Sequence, residues 1–176
     1  MPNTKFTSGD TFPELTVQKV NQSVSNLAEP EQDNQWRVVV VYRGQHCPIC
    51  DKQLKELEQK KQKFYDLKTD LIAVSADSLQ QASEQVKRTE ITFPVAYGLT
   101  VDQMRQLGLY ISEPRSKEET DHPFAEPAIF VINDKGKVQI VDISNAPFSR
   151  PNIDGLLQGI KFIQENDYPI RGTYQS

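Results

Sequence analysis

The chain predicts an α/β fold, a mixed central sheet flanked by helices on both faces, and three observations carry that reading. Two β-branched runs with no polar alternation, Trp36–Tyr42 and Leu71–Ser75, have the pattern of strands buried on both sides. Each is followed by a segment of helical periodicity, which implies crossover connections and parallel pairing. Near the C-terminus two further apolar runs flank Asn133-Asp134-Lys135-Gly136 and lead into a last amphipathic segment, so an antiparallel hairpin packed by a helix is expected.

In order, residues 1–35 place short apolar patches (Phe12, Leu15, Val17, Val20) among polar stretches and end in the loop-like Ala28–Asn34. They read as short edge strands and turns, an N-terminal extension of the fold. Asp51–Tyr65 is strongly charged with Leu54, Leu57, Phe64 and Tyr65 at helical spacing, a surface helix with one apolar stripe. Asp77 or Ser78 offers a cap for a helix to Arg88, with Leu79, Ala82 and Val86 facing inward. Phe93–Tyr97 is a short extended piece, and Thr100 caps a helix over Val101–Leu107 that Gly108 stops. The polar stretch Ser112–Glu126 is too long for a simple connection, which suggests a role. Ala128–Ile132 and Lys137–Asp142 form the hairpin. Ile153, Leu156, Leu157, Ile160 and Ile163 line the last helix, slightly weakened by Gly155 and Gly159.

A chain of 176 residues is most simply one domain, residues 1–176, able to bury a core without staples. Its formal net charge of −4 provides no basic footprint for nucleic acid and no polybasic membrane patch. The longest apolar run, Val38–Tyr42, is far short of a membrane span, and Met1–Thr7 lacks the apolar core of a secretory signal. A cytoplasmic protein that binds neither nucleic acid nor membrane is the expectation. In a reducing compartment thiols are more often catalytic or metal-binding than structural.

Both cysteines lie in VVVVYRGQHCPIC, where a buried strand ends and a helix is about to start. Pro48 suits the first helical position. The first turn of that helix offers unpaired N–H groups and the positive end of the helix dipole, so the Cys47 thiolate is stabilised there. Arg43 and His46 add to this if they face the sulfur. Cys50, one turn further in, is expected to be more buried and less acidic, which makes Cys47 the attacking thiol and Cys50 the resolving one. A structural disulfide across so short a loop stabilises little. Structural zinc needs four ligands, and the only other soft ligands are His46, adjacent to Cys47, and His122. A redox pair without metal or cofactor is favoured over both, since C-x-x-C beside a βαβ pattern is a redox signature. Pro127, just ahead of a strand, taken alone is an ordinary trans proline.

These residues resemble the alkyl hydroperoxide reductase/thiol-specific antioxidant (AhpC/TSA) family, in its peroxiredoxin-like branch. Gly9-Asp10-Thr11-Phe12-Pro13-Glu14-Leu15 is similar to the family's opening, Tyr42–Cys50 to its active-site loop, and Phe93-Pro94-Val95 to a later element. Pro127–Ile132 looks like the strand whose leading proline is cis and lies against the cysteines. The resemblance implies a thioredoxin-like sheet, a nucleophilic Cys47 with Cys50 as partner, and a cis bond before Pro127. It departs at Gly44, where characterised peroxidases have a hydroxyl residue, at Val40 in place of a proline, and at His46 in place of an aromatic residue. Arg43, the N–H groups at the helix start, or Gln45 are the candidates to replace the missing donor. His46 beside the nucleophile is a candidate to tune its pKa. Arg115 and Arg150 read more readily as surface arginines than as site residues.

A thiol peroxidase is the leading function: Cys47 attacks a hydroperoxide, Cys50 closes the bridge, and an external dithiol such as thioredoxin reopens it. A disulfide oxidoreductase using the same pair is the alternative, favoured by Gly44, and a non-catalytic binding or redox-sensing module is the third reading. Family members pair through sheet edges or loop faces, which makes a homodimer compatible, but no residue selects an assembly.

Overall fold

The computed structural model describes residues 6–174, so the Met1–Lys5 part of the stretch scanned for a signal lies outside the described residues. The elements follow as β1 (Thr16–Lys19), β2 (Val24–Asn26), β3 (Trp36–Val41), α1 (Pro48–Asp66), β4 (Thr69–Val74), α2 (Leu79–Thr89) and β5 (Val95–Tyr97). Then come α3 (Val101–Gln106), β6 (Ile111–Ser112), β7 (Phe124–Ala125), β8 (Ala128–Ile132), β9 (Val138–Ile143) and α4 (Ile153–Asn166). Seven strands form one sheet in the order β2–β1–β5–β4–β3–β8–β9. Its centre, β3–β4–β5, is parallel, and its other pairings are antiparallel.

Every residue of β3, β4 and β8 is buried, as uninterrupted β-branched runs demand when both faces are covered. Alternate residues of β3 serve opposite cores. Val38, Val40 and Tyr42 pack with Leu54, Leu57 and Phe64 of α1 and Ile153, Leu156 and Ile160 of α4. Val39 and Val41 pack with Met104 of α3, Leu107, Phe12 and Phe130. Leu54, Leu57 and Phe64 are wholly buried, each contributing about 1.5–3 kcal/mol. That burial fixes α1, and with it the position of its N-terminus. No helix among the described residues is long and apolar enough to cross a membrane.

The caps follow the sequence. Ser78 and Thr100 each close a capping box, with Gln81 and Gln103. The inward line of α2 differs from the apolar expectation, being Ala82, Gln85 and Thr89, with Leu79 and Val86 half-buried. The N-terminal strands are tied in by a charge that apolar patterning does not reveal. Arg37 is wholly buried on the Asp70 carboxylate (Nε–Oδ1 2.9 Å, Nη2–Oδ2 3.0 Å), and its Nη1 donates to the Asn26 carbonyl at 3.2 Å.

Two expectations change. Ser112–Glu126 is not a loose loop: β6 and β7 pair at its base, so the excursion leaves and returns through a short antiparallel ladder. The cis bond implied for Pro127 is absent, the Glu126–Pro127 peptide being trans like every other among the described residues. Trans is the lower-energy form for X–Pro, and Glu126 is held on both sides in that form. Its N–H donates to the Tyr110 carbonyl at 2.8 Å, and its carboxylate accepts from Ser112 Oγ at 2.9 Å.

Candidate active site

The turn from β3 into α1 places Cys47 at the N-cap, with extended backbone angles (φ −111°, ψ 101°), and Pro48 opens the helix. The Cys47 sulfur takes the capping role usually filled by an oxygen, accepting the Cys50 N–H at 3.2 Å. Both cysteines are free thiols. Cys47 is 2% exposed and Cys50 wholly buried.

Two guanidinium groups approach from different elements. Arg43, at the end of β3, pairs with Glu126 (Nε–Oε2 2.8 Å) and lies over the Phe124 ring at 4.9 Å. Arg150, ahead of the Asn152 cap of α4, places Nη2 at 3.1 Å from Cys50 Sγ and 3.9 Å from Cys47 Sγ. Its Nη1 donates to Gln53 Oε1 at 2.7 Å and its Nε to the Pro147 carbonyl at 2.6 Å.

The Cys47 thiol is pushed down to about 6. The Cys50 thiol donating to it is the largest cause; the Cys50 N–H, Arg43 and Arg150 add to it, and burial opposes them. Cys50 is pushed far up by burial first and by the neighbouring Cys47 thiolate second. The asymmetry expected from the sequence is therefore present: one thiol is acidic at the helix start, and the other is kept protonated one turn inside.

Behind the loop, the wholly buried Asp77 takes the space left by Gly44. A Cβ on Gly44 (φ +141°) would lie 2.6 Å from Asp77 Oδ1. Asp77 Oδ2 accepts the Gln45 N–H at 2.8 Å, and the Gln45 carbonyl accepts from Arg88 at 2.9 Å. Gln45 thus acts through its backbone as a loop anchor, and that N–H is committed away from the sulfur. On the other side of Asp77, His122 Nε2 lies 3.1 Å from Oδ1 and from Gln81 Oε1, while its Nδ1 faces the Pro123 carbonyl at 2.8 Å. Both ring nitrogens meet acceptors, so the imidazolium is the satisfied form, and the Asp77 hydrogen bond leads the causes that raise the His122 pKa.

His46 does not supply the charge expected of it. Its ring packs edge-on to Phe124 at 4.7 Å, and both ring nitrogens are buried without a hydrogen-bond partner. Burial first, then Arg43, lowers its pKa. Pro127 does not gain the cis geometry that was to set it against the thiols. Arg115 is an exposed partner of Glu119. Arg150, read as a surface residue, is the side chain on the sulfurs, and Gln53, Asp77, Glu126 and His122 complete the surroundings. Nothing in the motif points to Arg150, about a hundred residues away. Asp77 had a signal, since it follows the carboxyl end of β4, adjacent to that of β3, where open parallel sheets gather their sites.

Residues 8–141 match the AhpC/TSA family. The chain belongs to that family. Peroxiredoxin 2 of Sulfurisphaera tokodaii is 26% identical over 162 residues, covering 89% of this chain and 72% of the relative. A 1-Cys peroxiredoxin of Medicago truncatula is 24% identical, covering 91% and 74%. A cysteine mutant of peroxiredoxin 6 from Arenicola marina superposes with a TM-score of 0.79 at 18% identity, over 97% of this chain and 80% of that one. A peroxiredoxin-like protein from Aquifex aeolicus superposes with a TM-score of 0.73 at 20% identity, over 90% and 88%. These structures share the fold, which is the thioredoxin-like one. The AhpC/TSA family places the chain among the thiol peroxidases.

Proposed function

We propose that the chain reduces hydroperoxides through Cys47 and closes the catalytic cycle with Cys50. The Cys47 thiolate attacks one peroxide oxygen; the S–O bond forms as O–O breaks, and the departing alkoxide or hydroxide takes a proton to leave as alcohol or water. Cys50 then displaces water from the Cys47 sulfenic acid to form the disulfide. An external dithiol of the thioredoxin type returns both thiols by exchange. The single observation that carries this reading is the Cys47 sulfur at the N-cap, held as thiolate by the Cys50 thiol and N–H and flanked by two guanidinium groups.

A disulfide oxidoreductase is the second reading, supported by the absence of a hydroxyl at Gly44. The 2% exposure of Cys47 argues against it, because a peroxide needs an opening the size of a water or two while a protein disulfide needs a face. The test is a rapid-mixing assay with hydrogen peroxide and an alkyl hydroperoxide, run beside insulin-disulfide reduction. We expect Cys47 to be oxidised orders of magnitude faster than free cysteine, Cys47→Ser to abolish consumption, and Cys50→Ser to stop after one turnover with a dimedone-trappable sulfenic acid. Oxidation no faster than free thiol, with ready insulin reduction, gives the function to the second reading.

A further inference from the structure

The two guanidinium groups differ in what neutralises them. Arg43 is bound to the Glu126 carboxylate, so much of its charge is compensated before it reaches Cys47. Arg150 has no carboxylate partner among the described residues. Its remaining donors are held by two neutral oxygens, Gln53 Oε1 and the Pro147 carbonyl, and these aim Nη2 at the sulfurs with its charge intact. Gln53 is itself buried and sits one turn after Cys50 on α1, so one helix carries both the thiol and the group that orients the cation toward it.

Cys50 needs such a partner. Wholly buried, it loses its proton at a high cost in a low-dielectric surrounding, yet the closing step requires it as thiolate. Among the described residues Arg150 is the only cationic side chain hydrogen-bonded to its sulfur. We propose that Arg150 is a catalytic residue of the disulfide-closing step, stabilising the Cys50 thiolate while it attacks the Cys47 sulfenic acid. Cys50 Sγ forms the S–S bond to Cys47 Sγ, the S–O bond breaks, and the hydroxide leaves as water with the proton that Cys50 gave up. The Cys50 sulfur goes from thiol to disulfide and the Cys47 sulfur from sulfenic acid to disulfide, with no other oxidant or reductant. The inference rests on Cys50 being the resolving thiol.

The experiment separates the two steps. Protein is mixed with hydrogen peroxide, quenched at intervals with dimedone or an alkylating agent, and the sulfenic acid and disulfide are counted by intact mass. In Arg150→Met, Cys47 oxidation is expected to slow at most a few-fold, since only the 3.9 Å contact is lost there. Closure is expected to slow about 10- to 100-fold, the weight of a hydrogen bond to a charged group, so the sulfenic acid accumulates. The closure rate should also need a higher pH to reach half its maximum, because without the cation Cys50 ionises later. Arg150→Lys restores part of the rate and Arg150→Gln does not, which separates charge from packing, and thermal melts check that all three are folded. Closure at the parent rate in Arg150→Met, or equal slowing of both steps, overturns the proposal. If the parent itself never forms the Cys47–Cys50 disulfide, it is the resolving-thiol reading that fails, whatever the arginine does.

Discussion

Replacing Gly44 by threonine would give this chain the hydroxyl that characterised relatives have before the attacking cysteine, and the structure predicts damage instead of gain. At φ +141° the backbone at Gly44 is in a region side chains rarely adopt, which costs about 1–3 kcal/mol for a non-glycine residue. The new Cβ would sit 2.6 Å from Asp77 Oδ1 and 3.0 Å from His46 Nδ1, so the carboxylate must move. Asp77 cannot move freely, because its other oxygen accepts the Gln45 N–H at 2.8 Å. Losing that hydrogen bond to a charged acceptor costs about 1.5–3 kcal/mol. The two together are about 2.5–6 kcal/mol, and at about 2–4 °C per kcal/mol for a chain of this size the melting temperature falls by about 5–24 °C. The assay is thermal unfolding by circular dichroism of Gly44→Thr, Asp77→Ala and the double variant, with peroxide consumption measured on each. Because the clash is with Asp77, the threonine should cost at least about 1 kcal/mol less in the Asp77→Ala background. A Gly44→Thr protein that melts with the parent and consumes peroxide faster would refute the reasoning, showing that Asp77 does not exclude the hydroxyl.

The arginine–glutamate pair at the site is also separable. Arg43→Met should raise the Cys47 pKa above about 6, read by thiolate ultraviolet absorbance. It should also cost about 3–5 kcal/mol, because Glu126 is left buried and unpaired. Adding Glu126→Gln should recover stability but not the acidic thiol. For Cys47 the folded pKa is depressed from 9.0, so its contribution to stability is fully present above 9.0 and is lost as pH falls through about 6. Cys47→Ser should flatten the melting temperature over that window. His122 has the opposite sign. It faces Asp77, Asp121, Gln81 and the Pro123 carbonyl, and its folded pKa is raised from 6.5. Its contribution is therefore fully present below 6.5 and lost as pH rises through the folded value. The gap in melting temperature between the parent and His122→Gln should close on the alkaline side.

Much of the frame was legible because it rests on periodicity. Trp36–Tyr42 and Leu71–Ser75 carry no polar residue until their ends, and a strand with two covered faces has no other pattern available. Ser78, Thr100 and Gly108 mark helix ends through chemistry that acts within four residues, and all three stand where that chemistry puts them. The acidic Cys47 was legible for the same reason, since its main stabilising contacts come from its own helix turn. His46 was misread because adjacency in sequence does not set the direction of a ring, and this one turns to Phe124.

By itself, the sequence determined the mixed α/β sheet, the helix beginning at the cysteine pair, and the ranking of the two thiols. All of these depend on interactions between residues near one another in the chain. Only the tertiary structure decided what surrounds the sulfurs. Arg150 reaches them because α4 packs on α1 across the core, Glu126 meets Arg43 because β8 lies beside β3, and Asp77 fills the space of Gly44 because β4 runs parallel to β3. The trans peptide before Pro127 was decided by the contacts of Glu126 in the fold, where the resemblance had implied the other form. Electrostatics acts through distance in space, and about a hundred residues of chain separate Arg150 from the thiol it touches at 3.1 Å.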